Sequence, residues 1–551
     1  MEDTLRRVRQ LYRTFFEKPP RTRIIYLSLG LAPFILAAET IFWNFRLNGL
    51  SHWDEYYFTA TAAWYAARPS WASFQAWDPP LFPLLMSFMF QSFGFQDYVA
   101  VATSSVAAFL LCVSTFSWVM KEYDFRTAVI GTSIVASNEF FLLYARMALS
   151  DMTFSFFFTC AVFLFLGALR CQKKWVYLLA GSLLALTFAT KYNGFQPLVI
   201  IALFLPLFHL LSVPSRARLR QRMIESTRAM FQSISGLLVS TVPSIIFFVF
   251  FLAYIAMPFS YIDPYGGSFL LLRDFVPRLS RGLELLVGTV YPTKAAISKL
   301  RLFVEGDFYY RVLTSFVTIP VLVLALVGAL KGIVRRNLAD ILLIIWFGYV
   351  FTYFSSVPVH YPRVILPVIV PLVILAARGA VWSLIEVDQL LHSIPRIPFV
   401  KIPTCRTLLR YAFVIAIVLS NLISAAGTIN NTHSAYRTAA DFISEHVPDG
   451  EIVWIKAQPV LIAYLGLKGK NVRVSYNIEE IDKAYVIVLD FVAKSYPEYP
   501  EIAARLSRMK LIASFQNDVP IVTMLDWTDF VGLQRFKSDP DRSSIRIYAR
   551  I

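Results

Sequence analysis

The sequence predicts a polytopic α-helical membrane protein with a small α/β domain in its C-terminal part. Hydrophobic residues make up 57% of the 551 residues and charged residues only 16%, whereas soluble domains contain roughly 25% charged residues. Several apolar stretches approach or exceed the ~18–20 residues that an α-helix needs to cross a bilayer. After about residue 430 the pattern changes to short alternating helices and strands, which is typical of a separate α/β unit.

The apolar windows and the loop charges together predict about eleven transmembrane helices. Their approximate limits are 24–43, 98–120, 127–143, 152–170, 175–190, 195–213, 232–257, 312–330, 339–356, 364–385 and 411–428. With the N-terminus in the cytoplasm, every loop on the inner side contains Lys or Arg, as the positive-inside rule requires. The first segment is too long and too well flanked by charge for a cleaved signal peptide, so we expect it to be retained.

The net charge of +16 could indicate a nucleic-acid partner, but the positions of the basic residues favour another explanation. They concentrate before the first span and in alternate short loops, where they orient the protein in the bilayer. We therefore expect a membrane partner and no nucleic acid. The four cysteines have no CxxC spacing, so they predict neither a disulfide framework nor a metal site.

Three regions fall on the outer side and are too long for simple connections. We predict a transmembrane domain over 1–429 with outer loops 44–97 and 258–311, followed by an extracytoplasmic α/β domain over 430–551. The aromatic residues of "YFTATAAWYAARPSWASF" predict a helix lying in the membrane interface. In the tail, helices are predicted at "AYRTAADFISEH" and "YPEIAARLSRM", and strands at "EIVWIKA", "AYVIVLD" and "IRIYAR".

Ionisable and polar residues collect at the outer ends of the predicted spans. An ionisable residue at membrane depth or at the interface is costly, and it is a functional-site hypothesis by default. The candidates come from five separate segments: Asp54, Glu55, Asp78, Arg146, Asp151, Lys191, His360, Tyr361 and Arg363. The inner loops contain no comparable cluster of acids and aromatic residues.

Each candidate also has a purely structural explanation. Arg146 and Asp151 are five residues apart and could form a local salt bridge. Lys191 and Arg363 lie at span ends and could extend to the lipid headgroups, and Glu55 could be an ordinary solvated loop acid. The common membrane side of all these residues favours the functional interpretation.

Such a set could carry out a restricted chemistry. A carboxylate can take a proton from an attacking hydroxyl or amine. Glu55 and Asp78 could supply oxygen ligands to a hard divalent cation. Lys and Arg at a membrane interface are suited to a phosphate fixed to a lipid. Together these groups predict displacement of a lipid-linked phosphate from an activated group.

Five motifs carry a family resemblance: "WDEYY", "WDPPLFPLL", "ARMALSDMTFSFFF", "LLALTFATKYNGF" and "HYPRVILPVIVPL". In this order they resemble the GT-C polytopic glycosyltransferases, in the family 39 type branch that contains protein O-mannosyltransferases and lipid A aminoarabinose transferases. The resemblance runs through roughly the first 380 residues. It implies transfer of a sugar from a polyprenyl-phosphate carrier, dolichyl or undecaprenyl, to a protein, lipid or envelope-glycan acceptor at the outer membrane face.

The resemblance also implies roles for single residues. Asp54 resembles the catalytic carboxylate of the first outer loop, the general base, and Asp151 resembles the second important acid. Lys191 and Arg363 match motifs that face the carrier phosphate. We group three neighbouring residues with them as donor-phosphate candidates: Arg146, Tyr361 and His360.

Asp78 departs from the family pattern. Many relatives carry a basic residue or histidine just before the two prolines, and an aspartate cannot bind phosphate directly. Either a divalent cation (Mg, Mn or Zn) held by Glu55 and Asp78 bridges the difference, or the site is built differently. That cation is the only cofactor that the sequence predicts. The expected location is a bacterial or archaeal cell membrane, with the endoplasmic reticulum as the alternative.

A polytopic transporter of a lipid-linked or anionic substrate is the main competing class. Intramembrane charges of transporters usually lie at the midplane near broken helices of repeated halves. Here the charges lie at one face and no internal repeat is visible, which favours the enzyme. An oligosaccharyltransferase has a similar overall shape, but the outer domain contains no Trp-Trp-Asp-Tyr-Gly run.

Overall fold

The computed structural model describes most of the chain. The described residues are 20–72, 79–191, 193–212, 219–256, 261–262, 268–269, 307–356, 361–393, 403–430, 433–490, 493, 497–516 and 544–550. Predictions that concern the segments between them, including most of the outer loop 258–311 and Asp78 and His360, lie outside these residues.

The first part of the described chain is almost entirely helical. The helices before residue 257 are α1 (Pro20–Phe42), α2 (Phe45–Asn48), α3 (Trp53–Ala66), α4 (Leu81–Phe93), α5 (Asp97–Glu122), α6 (Phe125–Ser137), α7 (Glu139–Ala145), α8 (Ser150–Cys171), α9 (Lys174–Thr190), α10 (Gln196–Ser212) and α11 (Leu219–Ala256). A two-residue strand pair follows, β1 (Tyr261–Ile262) with β2 (Ser268–Phe269). The later helices are α12 (Asp307–Phe316), α13 (Ile319–Val334), α14 (Leu338–Ser356), a 3-10 helix (Pro362–Val368), α15 (Ile369–Ser393) and α16 (Pro403–Asn430).

Helices coincide with all eleven predicted spans. Within the described residues, seven helices are long and apolar enough to cross a membrane, or up to nine if two bent pairs each count as one span. Helices α9 and α10, at 17 residues each, are apolar but shorter. The chain is a multi-pass helical membrane protein, as its composition indicated.

The structure differs from the predicted limits where helices bend or extend beyond the apolar window. Helices α6 and α7 bend by 62° at Asn138, whose side chain accepts a hydrogen bond from Phe141 N at 3.0 Å and so begins the second helix. Helices α12 and α13 meet at 112°, so residues before Ile319 do not continue that span as predicted for 312–330. Polar helix extensions also carry α11, α15 and α16 into the predicted inner loops.

The first outer loop contains a buried helix. Eight residues of α3 are buried, from Glu55 to Ala63, and the helix packs between α4 and the C-terminal part of the chain. The predicted helix is therefore present, and its position in the membrane interface stays a prediction. Aromatic side chains satisfy a protein core as well as an interface, and here some of them are covered by protein.

The C-terminal part forms an α/β unit around a five-stranded sheet. Its elements are α17 (Ala435–His446), β3 (Ile452–Lys456), α18 (Val460–Leu467), β4 (Arg473–Ser475), a 3-10 helix (Ile478–Lys483), β5 (Val486–Leu489), α19 (Tyr499–Leu506), β6 (Met509–Gln516) and β7 (Ser544–Arg550). The strand order is β4-β3-β5-β7-β6, with β3 parallel to both neighbours and β7 antiparallel to both of its own. The predicted helices and strands of the tail are all present, whereas α18, β4 and β6 were not predicted.

The α/β unit packs directly on the first outer loop. A Cβ on Gly466 of α18 would lie 2.2 Å from the Trp71 ring, and one on Gly49 would lie 2.3 Å from the Tyr464 hydroxyl. Only glycine permits contacts this close at these two positions. The loop that carries Asp54 is therefore enclosed by residues more than 380 positions later in the sequence.

Candidate active site

Four of the predicted residues meet in one charged cluster at the ends of the helices. Arg363 Nη1 lies 2.6 Å from Asp54 Oδ2 and 4.0 Å from Asp151 Oδ2. Lys191 Nζ forms a salt bridge with Asp151 Oδ1. The cluster Asp54–Arg363–Asp151–Lys191 thus alternates acids and bases from four separate segments.

Each member of the cluster lies at a helix terminus. Asp54 and Asp151 occupy the first turns of α3 and α8, where the partial positive charge of the helix end stabilises a carboxylate. Lys191 directly follows the last residue of α9, as its C-cap. Arg363 lies in the 3-10 helix, which begins at Pro362 and leads into α15. Breaks between helices therefore bring distant segments to the same end of the bundle.

The cluster is buried on one side and open on the other. The side chain of Asp151 is 2% exposed and that of Arg363 11%, whereas Asp54 is 31% and Lys191 22% exposed. Asp151 and Arg363 are therefore largely shielded from solvent, whereas Asp54 and Lys191 are accessible to a ligand. Buried ions need paired charges, and the alternating arrangement supplies them.

Glu55 does not face this cluster, although it follows Asp54 in sequence. Its fully buried carboxylate accepts hydrogen bonds from Ser51 N at 2.6 Å, His52 N at 2.7 Å and Ala148 N at 2.7 Å. The His52 side chain caps the same helix, accepting from Asp54 N at 3.1 Å, in a capping-box arrangement. Burial raises the pKa of Glu55, and the three backbone donors oppose that shift.

Arg146 is likewise directed away from the phosphate role that we predicted for it. Its guanidinium is buried and donates to Thr40 O at 3.1 Å, Trp43 O at 2.7 Å, Asn48 Oδ1 at 2.9 Å and Ile429 O at 3.0 Å. These acceptors belong to the ends of α1 and α16 and to α2. Arg146 therefore holds helix ends together. The local salt bridge with Asp151, considered above as the structural alternative, is also not formed between these two described residues.

The described residues do not fit the predicted divalent cation. Both Glu55 oxygens accept backbone hydrogen bonds, and the other predicted ligand, Asp78, lies outside the described residues. Among the residues that the structure describes, no group of three or more His, Cys, Asp and Glu could hold a metal ion. Tyr361 does lie at the cluster, with the Arg363 guanidinium 5.5 Å from its ring centre.

Polar side chains that the sequence analysis overlooked lie on the same segments as Asp151 and Lys191. Thr153 Oγ1, Asn193 Oδ1 and both polar side-chain atoms of Gln196 are buried without a hydrogen-bond partner in the described part of the chain. Buried polar groups are nearly always hydrogen-bonded, so these groups suit a polar ligand or water. Thr153, Asn193 and Gln196 are uncharged, so a prediction based on ionisable residues could not identify them.

A second cluster of acid, base and aromatic residues lies at the opposite ends of the helices. The buried carboxylate of Asp340 accepts a hydrogen bond from Tyr123 Oη at 2.7 Å, and Arg378 Nε lies 3.4 Å from it. The Arg378 guanidinium also stacks over the Tyr123 and Trp382 rings, 4.2 Å from each centre. Nothing in the sequence indicated this second cluster, because Tyr123, Asp340 and Arg378 are too far apart in the chain to form a visible motif, and Asp340 and Arg378 lie within helices rather than in loops.

The sequence and the fold are similar to those of known proteins. A family model described as dolichyl-phosphate-mannose-protein mannosyltransferase matches residues 32–259. Dolichyl-phosphate-mannose–protein mannosyltransferase 4 of Schizosaccharomyces pombe is 25% identical over 195 residues. That alignment includes 31% of this chain and 25% of the yeast protein, so the chain matches about a quarter of this relative's length.

Among solved structures, the archaeal oligosaccharyltransferase AglB from Archaeoglobus fulgidus, in complex with an inhibitory peptide and a dolichol-phosphate, has a TM-score of 0.52. The identity is 13%, and the superposition covers 88% of this chain and 71% of AglB. The chain has the fold of the GT-C glycosyltransferases. ArnT from Cupriavidus metallidurans bound to undecaprenyl phosphate covers 97% of this chain and 99% of its own, with 13% identity and a TM-score of 0.48.

The GT-C resemblance that the five motifs indicated is therefore confirmed. The family match spans three members of the charged cluster, Asp54, Asp151 and Lys191. The fourth, Arg363, comes from a segment beyond the match, and only the GT-C fold brings it within 2.6 Å of Asp54.

Proposed function

We propose that this chain is an integral-membrane glycosyltransferase that moves a sugar from a polyprenyl-phosphate carrier to an acceptor at the outer membrane face. The observation that carries the proposal is the charged cluster. Two carboxylates and two cations, one of each accessible, stand at the ends of membrane helices in a GT-C fold. A lipid-borne phosphate would reach such a place from the bilayer.

Asp54 is the proposed general base. As the acceptor oxygen forms its bond to the anomeric carbon, the bond from that carbon to the carrier phosphate breaks, and the acceptor proton moves to the carboxylate. The Asp54 carboxylate is partly exposed and is held at a fixed place by Arg363, so it can meet an acceptor. A positioned base of this kind typically contributes about 10²–10⁴-fold to a rate.

Lys191 and Arg363 are the proposed phosphate-binding groups. The donor phosphodiester carries one negative charge, and the released phosphate monoester gains a second as the carbon–oxygen bond breaks. Fixed cations aimed at that developing charge lower the barrier. Asp151, which is 2% exposed, holds Lys191 in place and is proposed to act through it.

Thr153, Asn193 and Gln196 are proposed to contact the sugar or phosphate oxygens. Their polar atoms lack partners in the described part of the chain. They also lie within five residues of Asp151 or Lys191 in sequence.

The proposed donor is a dolichyl-phosphate-linked mannose, and the proposed acceptor is a hydroxyl group, that of a protein first. The support for both is the family model, which is named for that donor and for protein acceptors and which spans Asp54, Asp151 and Lys191. Lipid and envelope-glycan acceptors are the alternatives. The proposed orientation has the N-terminus in the cytoplasm and the α/β unit outside, in a cell membrane or the endoplasmic reticulum.

The test uses purified full-length protein in lipid nanodiscs, incubated with a panel of polyprenyl-phosphate sugars and with candidate acceptors. Mass spectrometry should detect a sugar-dependent mass increase in the acceptor and release of free carrier phosphate. Asp54→Asn should lower the turnover about 10²–10⁴-fold while the protein still binds the carrier. Glu445→Gln is the matched control, because Glu445 is an exposed acid far along the chain.

Two outcomes would contradict the proposal. Normal turnover by the Asp54→Asn variant would exclude Asp54 as the base. Uptake of the lipid-linked sugar into sealed vesicles without any product would support the transporter instead.

A further inference from the structure

The backbone of Leu50, four residues before Asp54, is held on both sides by the α/β unit. Its N–H donates to the Tyr464 hydroxyl at 2.5 Å, and its carbonyl accepts a hydrogen bond from the Ser434 hydroxyl. Leu50 and Ser434 are buried, and Tyr464 is 2% exposed. These three residues, which we call the Leu50 clamp, join the C-terminal part of the chain to the first outer loop.

The sequence at the clamp is fitted to this contact. Gly49 has a φ of +68°, in the left-handed region that favours glycine. A Cβ there would also lie 2.3 Å from the Tyr464 hydroxyl and 2.9 Å from Ser434 Cβ. The loop can therefore approach the two hydroxyl groups only because residue 49 has no side chain.

From the clamp, hydrogen bonds continue to both acid-bearing segments. Ser51 N and His52 N donate to one oxygen of Glu55, and Ala148 N donates to the other. Asp54 precedes Glu55 directly, and Ala148 is three residues before Asp151. The position of Leu50 is thereby transmitted to the first turn of α3 and to the loop that enters α8.

A second contact anchors the α/β unit beside the clamp. The guanidinium of Arg437, in α17, donates to Asp97 Oδ2 at 2.8 Å from Nε and at 2.5 Å from Nη2. Nη2 also donates to Arg46 O at 2.7 Å. The first turn of α5 and the end of α1–α2 are thus tied to the same unit, so the clamp has a fixed support.

We propose that Tyr464 and Ser434 are positioning residues for the transfer reaction, which set the place of Asp54 by holding Leu50. This inference rests on the proposed role of Asp54 as the base. It assigns a task to the α/β unit: the unit completes the active site from outside without contacting the substrate. The two hydroxyl groups act through the backbone, so neither is a catalytic residue.

The chemistry of the two hydroxyl groups suits this task. Burial raises the pKa of the Tyr464 hydroxyl well above its usual value, so the phenol stays neutral and its oxygen accepts the Leu50 N–H at any physiological pH. A buried backbone N–H or carbonyl left without a partner is unfavourable. Removing either hydroxyl therefore favours a different loop conformation, and misplacing a reacting group by about 1 Å can cost about 100-fold in rate.

The first test measures the loop directly by hydrogen–deuterium exchange in nanodiscs. In Tyr464→Phe, peptides covering 50–58 should exchange about tenfold faster than in the wild type, while peptides from β3 and β5 stay protected. Tyr485→Phe, which alters a 44% exposed tyrosine of the same unit, should change neither. Unchanged exchange at 50–58 would overturn the clamp, and so would faster exchange throughout the α/β unit, since Tyr464 would then only stabilise that unit.

The second test is kinetic. Tyr464→Phe should lower kcat about 10- to 100-fold and raise KM for the lipid donor by a smaller factor, because Lys191 and Arg363 lie on other segments and meet the clamped loop only through Asp54 and Asp151. In the Asp54→Asn background the same substitution should have little further effect, since interacting residues are not additive. An equal loss in both backgrounds would overturn positioning through Asp54.

A second pair of variants covers the case in which Tyr464→Phe does not fold. Ser434→Ala removes the other bond to Leu50 and should reproduce both effects, and Ser434→Thr, which keeps a hydroxyl, should restore them. Failure of Ser434→Thr to restore the rate and the protection would contradict the inference. If the wild type transfers no sugar from any donor, the proposed function fails, while the exchange experiment still decides whether the clamp holds the loop.

Discussion

Glu55→Gln is the substitution that best separates two interpretations of the first outer loop. The sequence predicted Glu55 as a metal ligand, whereas the structure places its carboxylate between the backbone of Ser51 and His52 on one side and Ala148 on the other. Glutamine has nearly the same shape, but one oxygen is replaced by an NH2 group, which cannot accept a hydrogen bond. At least one backbone N–H must then face another donor.

The magnitude follows from the contacts. Hydrogen bonds to charged groups contribute about 1.5–3 kcal/mol each, and a buried donor left unpaired costs about 1–3 kcal/mol. If the amide oxygen keeps the two N–H groups of the helix cap, the bond to Ala148 N is lost, at a cost of about 2 kcal/mol. Since about 1.4 kcal/mol is a factor of ten, local opening around Ala148 should become roughly 30-fold more frequent.

The assay is hydrogen–deuterium exchange of peptides covering 144–150 and 50–58, because exchange reports local opening segment by segment. Faster exchange is expected with and without added divalent cation. Glu445→Gln is the control, since it makes the same chemical change at an exposed position.

The opposite result would refute the structural role. If Glu55→Gln exchanges like the wild type but loses activity that excess Mg²⁺, Mn²⁺ or Zn²⁺ restores, Glu55 is a metal ligand. The contacts of its carboxylate would then have to change when the metal binds.

Two further substitutions test the assignment of the basic residues. Lys191→Met should weaken binding of polyprenyl phosphate by about 10- to 150-fold, because a charge-assisted hydrogen bond of about 1.5–3 kcal/mol is lost. Isothermal titration in micelles measures the affinity, and Lys173→Met, at an exposed lysine, is the control. Unchanged affinity would exclude the phosphate role of Lys191. Arg146→Met should instead lower the stability of the folded protein by at least about 3 kcal/mol, because several buried hydrogen bonds are lost, while the folded fraction binds the carrier normally. Thermal inactivation rates check the second prediction. A selective loss of carrier binding would show instead that Arg146 binds the phosphate.

The sequence predicted the membrane helices well, since the length and apolarity of a span are local properties. It also selected the members of the charged cluster, because an ion at a helix end in a membrane protein is conspicuous in any apolar sequence. Asp54, Asp151, Lys191 and Arg363 were all chosen in this way. Their meeting within a few ångströms is what the fold adds.

The sequence could not separate neighbours with different tasks. Asp54 and Glu55 are adjacent acids, but the helical turn that starts at Trp53 directs them to different surroundings, one to Arg363 and the other to backbone N–H groups. In the same way Arg146 looked like a partner of Asp151, and its guanidinium turned instead to four acceptors on the ends of other elements. Side-chain direction depends on tertiary contacts that periodicity does not contain.

By itself, then, the sequence determined the membrane class, the helix positions and the set of residues that carry chemistry, because hydropathy and charge act locally along the chain. The tertiary structure decided which of those residues share a site and which ones only hold helix ends together. It also decided that the α/β unit holds the loop before Asp54 by hydrogen bonds. This contact depends on Leu50 and on Ser434 and Tyr464, which lie 384 and 414 residues later in the sequence. The three residues have no charge or periodicity in common. Only the folded backbone brings such groups within hydrogen-bonding distance.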